Sequence, residues 1–287
     1  MSRGAGKIIR EKVRAFVKRQ NETLDVQRIE LRCEALPRQL VGYRVAVVAD
    51  LHMRRLTAFH GQIIDALAEI QPGCILIAGD STDTRTKDLD VLAPFFLRLA
   101  KIAPTVAVLG NNDCDRLRTP ALRDLYRACS ITLLENETRN LSARGVPIRI
   151  TGLTDPVAIK YGVHREREAA PGTPLHRMKI ESALLTDEAQ KEWVPPILLL
   201  HRPELARPYA KMGASLIVAG HAHGGQFRLP LVGGLYAPGQ GVFPRYTSGV
   251  YTIGGARMVV SRGLGNHAFP VRLWNYPHLP YVELMGI

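Results

Sequence analysis

The feature that most restricts the fold is a series of short apolar runs, each ending in glycine, acids or amides. Residues 45–49 are a valine-rich run, followed by Asp50, Leu51 and His52. Residues 74–78 are apolar throughout and give way to Gly79, Asp80, Ser81, Thr82 and Asp83. Residues 105–109 pass into Gly110, Asn111, Asn112 and Asp113. Between the first two runs, Phe59, Ile63, Ile64, Leu67 and Ile70 recur at helical spacing; between the second and third, residues 89–99 are another helix candidate. Short apolar runs alternating with helices form a parallel sheet covered by helices. Such a sheet collects ligands beyond the carboxyl ends of its strands, so the three polar loops are expected at one edge.

The second half is richer in strands. Candidates are residues 131–134, 148–153, 197–200, 215–219, 250–253 and 258–261. Two of them repeat the earlier device. The run 197–200 ends at His201, and 215–219 passes into Gly220, His221, Ala222 and His223. Residues 160–192, charged and containing His164, Pro174 and His176, read either as a lid or as a surface excursion.

Five strand ends thus deliver Asp50, His52, Asp80, Asn111, His201, His221 and His223. Nitrogen and oxygen donors together suit Mn, Fe or Zn better than Ca or Mg, which prefer oxygen shells. Any one of these pieces is weak, since a single Asp-x-His or His-x-His is common on surfaces. All five at strand ends, in this order, form a two-metal ligand set. The glycines at 79, 110 and 220 let the chain turn sharply and come close to the metals.

The series Asp50-x-His52, Gly79-Asp80-x-x-Asp83, Gly110-Asn111-x-Asp113, His201 and Gly220-His221-x-His223 resembles the calcineurin-like metallophosphoesterases, over roughly residues 40–285. The runs 220–226, 228–230 and 261–265 look like a bacterial branch with predicted phosphodiesterases and UDP-2,3-diacylglucosamine pyrophosphatases. The resemblance implies an α/β fold of two mixed sheets sandwiched by helices. It implies that Asp50, His52 and His223 hold one metal and Asn111, His201 and His221 the other. Asp80 would bridge them, and Asp83 would orient a ligand from outside. It departs from the family at Asn112, where the motif usually carries a histidine taken to stabilise the transition state or protonate the leaving group. An amide donates a hydrogen bond but transfers no proton near neutrality. This favours substrates whose leaving groups depart readily, such as pyrophosphates and activated diesters, over simple monoesters.

Composition narrows the setting. Of 287 residues 46% are hydrophobic, which is globular. No apolar run nears the roughly 20 residues of a membrane-spanning helix, and no secretory leader is evident. A cytoplasmic protein is the expectation. Cys33, Cys74, Cys114 and Cys129 are widely spaced, as reduced, buried thiols are. Half of the net charge of +12 lies in residues 1–20, where Arg3, Lys7, Arg10, Lys12, Arg14, Lys18 and Arg19 face only Glu11. Ile9, Val13, Phe16 and Val17 give this stretch an apolar stripe, so residues 8–19 read as a basic amphipathic helix. It suits either an anionic membrane surface or packing on its own domain. Residues 229–238, just beyond His223, form an apolar loop that would suit acyl chains if exposed.

The domain organisation expected is a basic N-terminal helix and lead-in over residues 1–40 and a metallophosphoesterase domain over 41–287. The leading function is dinuclear hydrolysis of a phosphodiester or pyrophosphate, in a lipid-linked substrate at the inner face of the membrane, with Mn as the metal. A nuclease or cyclic-nucleotide phosphodiesterase is the alternative enzyme, although 6% aromatic residues offer no stacking platform for nucleic acid. A non-catalytic scaffold is the third reading, and the complete ligand set argues against it.

Overall fold

The architecture comes from a computed structural model, which describes residues 3–34, 36–160, 196–211, 213–267 and 269–287. The excursion at 160–192, with His164 and His176, lies almost wholly outside the described residues. The chain runs through α1 (Arg3–Glu22), β1 (Asp25–Cys33), β2 (Arg44–Val48), α2 (Ala58–Ile70), β3 (Cys74–Ala78), α3 (Ala93–Ile102), β4 (Thr105–Val108) and α4 (Arg118–Ala128). It continues through β5 (Ile131–Leu133), β6 (Glu137–Ala143), β7 (Val146–Gly152), α5 (Val157–Lys160), β8 (Ile197–Leu199), α6 (Ala206–Ala210) and β9 (Leu216–Ala219). Two short ribbons follow, β10 (Arg228–Leu229) with β11 (Gly233–Gly234), and β12 (Tyr236–Ala237) with β13 (Gly241–Val242). The last strands are β14 (Gly249–Ile253), β15 (Ala256–Val260) and β16 (His278–Gly286).

Two six-stranded sheets result, in the orders β1-β16-β2-β3-β4-β5 and β14-β15-β9-β8-β7-β6. Both are mixed. The run β2-β3-β4-β5 is parallel, while β16 enters antiparallel to β2. In the second sheet β7, β8, β9 and β15 are parallel and the edge strands β6 and β14 are antiparallel. This is the two-sheet α/β architecture expected from the sequence. Residues 25–33 pair along their length with β16, so the lead-in supplies an edge strand of the domain's own sheet, across the boundary expected at 40/41.

Side-chain alternation along the strands builds the layers. Val45, Val47, Leu76, Ala78, Val106 and Val108 face inward and meet Ile150, Leu199 and Val218 of the other sheet. Their neighbours Ala46, Val48, Ile75, Ile77 and Ala107 point outward and are covered by Ile63 and Leu67 of α2, Phe96 and Leu99 of α3, and Leu122 and Tyr126 of α4. The outer face of the second sheet, including Leu198, Ile217 and Met258, packs on Ala206, Tyr209 and Ala210 of α6. All four cysteines are free and buried. Among the described residues no helix is long and apolar enough to cross a membrane.

The helices start and stop for local reasons. The Thr57 N–H donates to the His60 ring at 3.1 Å at the head of α2, and Gln71 in a left-handed conformation ends it. In α1 the side chains of residues 7–16 are all exposed. Among the described residues the basic helix therefore does not pack its apolar stripe on its own domain. Its last turn is fastened: Gln20 accepts the Trp274 N–H, and Asn21 accepts the Arg272 N–H while donating to the Pro270 carbonyl.

Candidate metal centre

The loops that leave β2, β3, β4, β8 and β9 converge between the two sheets, where short backbone hydrogen bonds lace them together. Asp50 N–H donates to the Gly79 carbonyl, and His52 N–H to the Asp80 carbonyl. Across the sheets, the His221 N–H donates to both carboxylate oxygens of Asp50, at 3.1 and 3.0 Å. Gly79 has φ of +86°, and a Cβ there would lie 2.6 Å from His201 Nδ1. At Gly110 a Cβ would meet Asp80 Oδ1 at 2.2 Å. The two glycines are needed for different reasons, one for a turn and the other for a close approach.

All seven side chains expected as ligands are brought to this place, as two groups. Asp50, His52 and His223 form the first. His52 Nε2 and His223 Nε2 are 3.0 Å apart, and Asp50 Oδ1 lies 3.7 Å from His223 Nε2. Asp80, His201 and His221 form the second. There His201 Nε2 lies 3.1 Å from His221 Nδ1 and 3.2 Å from Asn111 Oδ1. Asp80 Oδ2 reaches both groups, at 3.7 Å from His52 Nε2 and 3.4 Å from His201 Nε2. Nitrogens crowded face to face around shared carboxylates make poor hydrogen bonds with one another. They do fit a pair of cations, with Asp80 between them. Asp50, His52, Asp80, Asn111, His201, His221 and His223 thus have the chemistry and the convergence to hold two metals.

Electrostatics divide the histidines: burial opposes a charge on His201, but Asp80 and Asp50 beside it outweigh burial and raise it to about 10, so it carries a proton that a bound cation would displace, whereas the other three are pushed the opposite way. Burial drives the imidazoles of His221 and His223 well below their usual range and His52 down to about 4, leaving them neutral. Neutral imidazole is the ligand form. Burial opposes the charge of Asp80, but His201 and His52 beside it hold it well below the usual carboxylate range. Burial, with a smaller push from Asp80, raises Asp50.

A supporting layer fixes the ligands. His201 Nδ1 lies 2.8 Å from the Ala78 carbonyl, and His221 Nε2 lies 3.0 Å from Arg202, which is held by Asp155 at 2.6 Å. Arg202 is thus tied to the site. Arg228 donates to the Gly224 carbonyl and supports the loop after His223. Asp83 is buried and bonded to Arg85 and, at 3.1 Å, to His267 Nδ1. His267 in turn stacks on His52 with centroids 5.0 Å apart. Asp113 accepts from Thr82 and Gly110 N–H groups and ties the loops after β3 and β4. Asn112 donates its amide to Asp80 Oδ2 at 2.6 Å and its N–H to Asp80 Oδ1 at 2.7 Å. Asp155 had no signal in the sequence, because its link runs through an arginine.

The centre opens into a cavity of about 250 Å³. Asp80, Asn112, His221 and His223 line it together with Tyr236, Pro238 and Phe269. Beside it the 229–243 segment exposes Leu231, Val232, Val242 and Phe243, so this apolar loop stands out from the core.

Comparison with known proteins agrees with the geometry. The chain matches the calcineurin-like phosphoesterase family over residues 43–225. It is 25% identical to the metallophosphoesterase YkuE of Bacillus subtilis, covering 88% of this chain and 83% of that protein. It is 26% identical to the phosphodiesterase YaeI of Escherichia coli, covering 85% and 82%. In fold it resembles the NAD nucleotidase of Haemophilus influenzae, with a TM-score of 0.50 at 13% identity, over 77% of this chain and 45% of that one. A family match across most of the domain, on the loops that build a two-metal ligand set, makes this chain a member of the calcineurin-like metallophosphoesterases and a metal-dependent phosphoesterase.

Proposed function

We propose that the protein hydrolyses a phosphodiester or pyrophosphate bond in a lipid-linked substrate, such as a UDP-diacylglucosamine-like molecule, at an anionic membrane surface. The observation that supports this most is the mixed lining of the cavity: metal-ligating side chains share it with Tyr236, Pro238 and Phe269, and the segment that carries Tyr236 exposes Leu231, Val232, Val242 and Phe243. A phosphate fits the metal-ligating side chains and an acyl-bearing or ring-bearing group the apolar ones.

The residues divide the work. Asp50, His52 and His223 would hold one ion, Asn111, His201 and His221 the other, and Asp80 lies within reach of both groups. Two bound divalent ions, manganese in our reading, supply a nucleophilic water at neutral pH and neutralise charge on the phosphoryl oxygens. Asn112 holds Asp80 through two hydrogen bonds and presents its amide at the cavity wall. Asp83 acts through His267, whose ring lies against His52 and keeps that ligand in place. The bare strip of α1 and its positive charge keep the enzyme near its lipid substrate.

The test pairs metal analysis with turnover. The manganese-reconstituted protein should carry two ions per chain and cleave bis(4-nitrophenyl) phosphate and a UDP-diacylglucosamine. Asp80→Asn should lose both ions and lower turnover by at least a hundredfold. One ion per chain in the wild type, or both ions retained in Asp80→Asn, would overturn the dinuclear assignment. Cleavage of the aryl diester without the lipid-linked pyrophosphate would overturn the substrate assignment alone.

A further inference from the structure

A second, larger groove lies on the other side of His52. It has a volume of about 680 Å³, within the range of pockets that take small organic ligands. Its walls are the fastened last turn of α1, the loop after β2 with the first turn of α2, and residues 264–266. Ala58 and Phe59 contribute apolar surface. The cations that line it are Lys18, Arg54 and Arg55.

These charges are not consumed internally. Lys18 stands 3.9 Å from Glu22, the acid that lines the groove, in an exposed pair. Arg54 is 3.9 Å from Asp83, a carboxylate already satisfied by Arg85. Arg55 makes no ion pair among the described residues. His52 is the residue common to this groove and the metal centre. Its Nε2 faces His223, while its Nδ1 is buried with no hydrogen-bond partner among the described residues.

We propose that this groove binds a second phosphate, one that is not cleaved, carried by an organic anion. Lys18, Arg54 and Arg55 meet the phosphate, and the apolar surface takes the organic part. The inference builds on the hydrolase reading, because two sources supply such a group: a further phosphate on the substrate, outside the bond that is cleaved, and the headgroup of an anionic lipid lying against α1.

The test uses the full-length, metal-loaded protein with its metal centre occupied by one equivalent of orthovanadate. Calorimetric titration with glycerol 1-phosphate should then show saturable binding of one molecule per chain. Lys18→Glu with Arg55→Glu should weaken it more than tenfold, and Lys18→Gln with Arg55→Gln by an intermediate factor. Both residues are exposed, and should the reversed pair lose its melting transition, the neutral pair makes the comparison. No binding to the vanadate-loaded protein, or equal binding by wild type and variants, would overturn the groove. Displacement of glycerol 1-phosphate by phosphatidylglycerol vesicles assigns the site to a lipid headgroup; no displacement assigns it to the substrate's own second phosphate. Failure of the protein to take up vanadate would instead strike the metal-centre reading, and the groove titration would still be read by itself.

Discussion

Asp50, His52, Asp80, His221 and His223 all have positive φ, between 43° and 65°. Residues other than glycine rarely adopt this region, although Asp, Asn and His tolerate it best. Such conformations cost about 1–3 kcal/mol each and persist because the laced loops hold them. The same chemistry that makes Asp and His ligands makes them acceptable on this backbone, which explains why the ligand set was legible in the sequence. Asn112 is the position where residue chemistry sets the reaction's scope. Its amide cannot deliver a proton to a departing oxygen. Asn112→His should therefore raise kcat/KM for an alkyl phosphate ester by tenfold or more and change a nitrophenyl ester little, since general-acid help is typically worth about a hundredfold to ten-thousandfold where the leaving group needs it. A leaving-group series in both proteins measures this. Equal slopes against leaving-group pKa would mean that Asn112 does not stand where the family's histidine acts. What the sequence hid at this scale was the layer behind the ligands. Asp155 reaches His221 only through Arg202, and His267 reaches His52 by stacking. Neither relation has a fixed spacing along the chain.

At the scale of elements, α1 carries a basic face and an exposed apolar stripe, and its last turn is tied to the domain by Gln20 and Asn21. Deleting residues 1–16 removes Ile8, Ile9, Val13 and Phe16 but spares those ties. Each basic residue near an anionic surface contributes about 1 kcal/mol, so losing even two effective charges should cut binding to phosphatidylglycerol vesicles by more than tenfold. Turnover of a soluble diester should stay within twofold. Co-sedimentation with vesicles decides it, and unchanged binding would refute a membrane role for the helix. Elements were legible where burial imposes a pattern. Strands β2, β3 and β4 are buried on both faces and read as apolar runs. Strand β6 has the sequence ETRNLSA and an exposed outer edge, so no alternation marks it. Strand β16 contains Pro280, a residue that argues against a strand, yet it pairs with both β1 and β2. Helix α4 is mostly polar, with only Thr119, Leu122 and Tyr126 buried, too sparse a stripe to identify from periodicity.

At the scale of the whole molecule, β16 is inserted into the first sheet between β1 and β2. At its start His278 is buried, 2.9 Å from Gln27 Oε1, and accepts the Arg262 N–H. Burial, then the charges of Arg262, Arg272 and Arg228, push its pKa down to about 2; Asp25 on β1 is paired with Arg262. The folded value lies below the unfolded one, so the unfolded chain takes up the proton first. The stability from neutral His278 is complete above about pH 6.5 and is lost progressively as pH falls toward 2. Between pH 6.5 and 5 the loss should be about 2 kcal/mol. His278→Gln should remove that part of the slope, and urea unfolding at the two pH values measures it; an unchanged slope would show that His278 is not the group responsible. Strand direction has one more consequence. Since β16 runs antiparallel to β2, and β2 points at Asp50, the chain enters β16 at the catalytic end and leaves it at the opposite end. A tether attached after Ile287 would therefore anchor the protein by its back, leaving the cavity and α1 facing outward toward an immobilised bilayer.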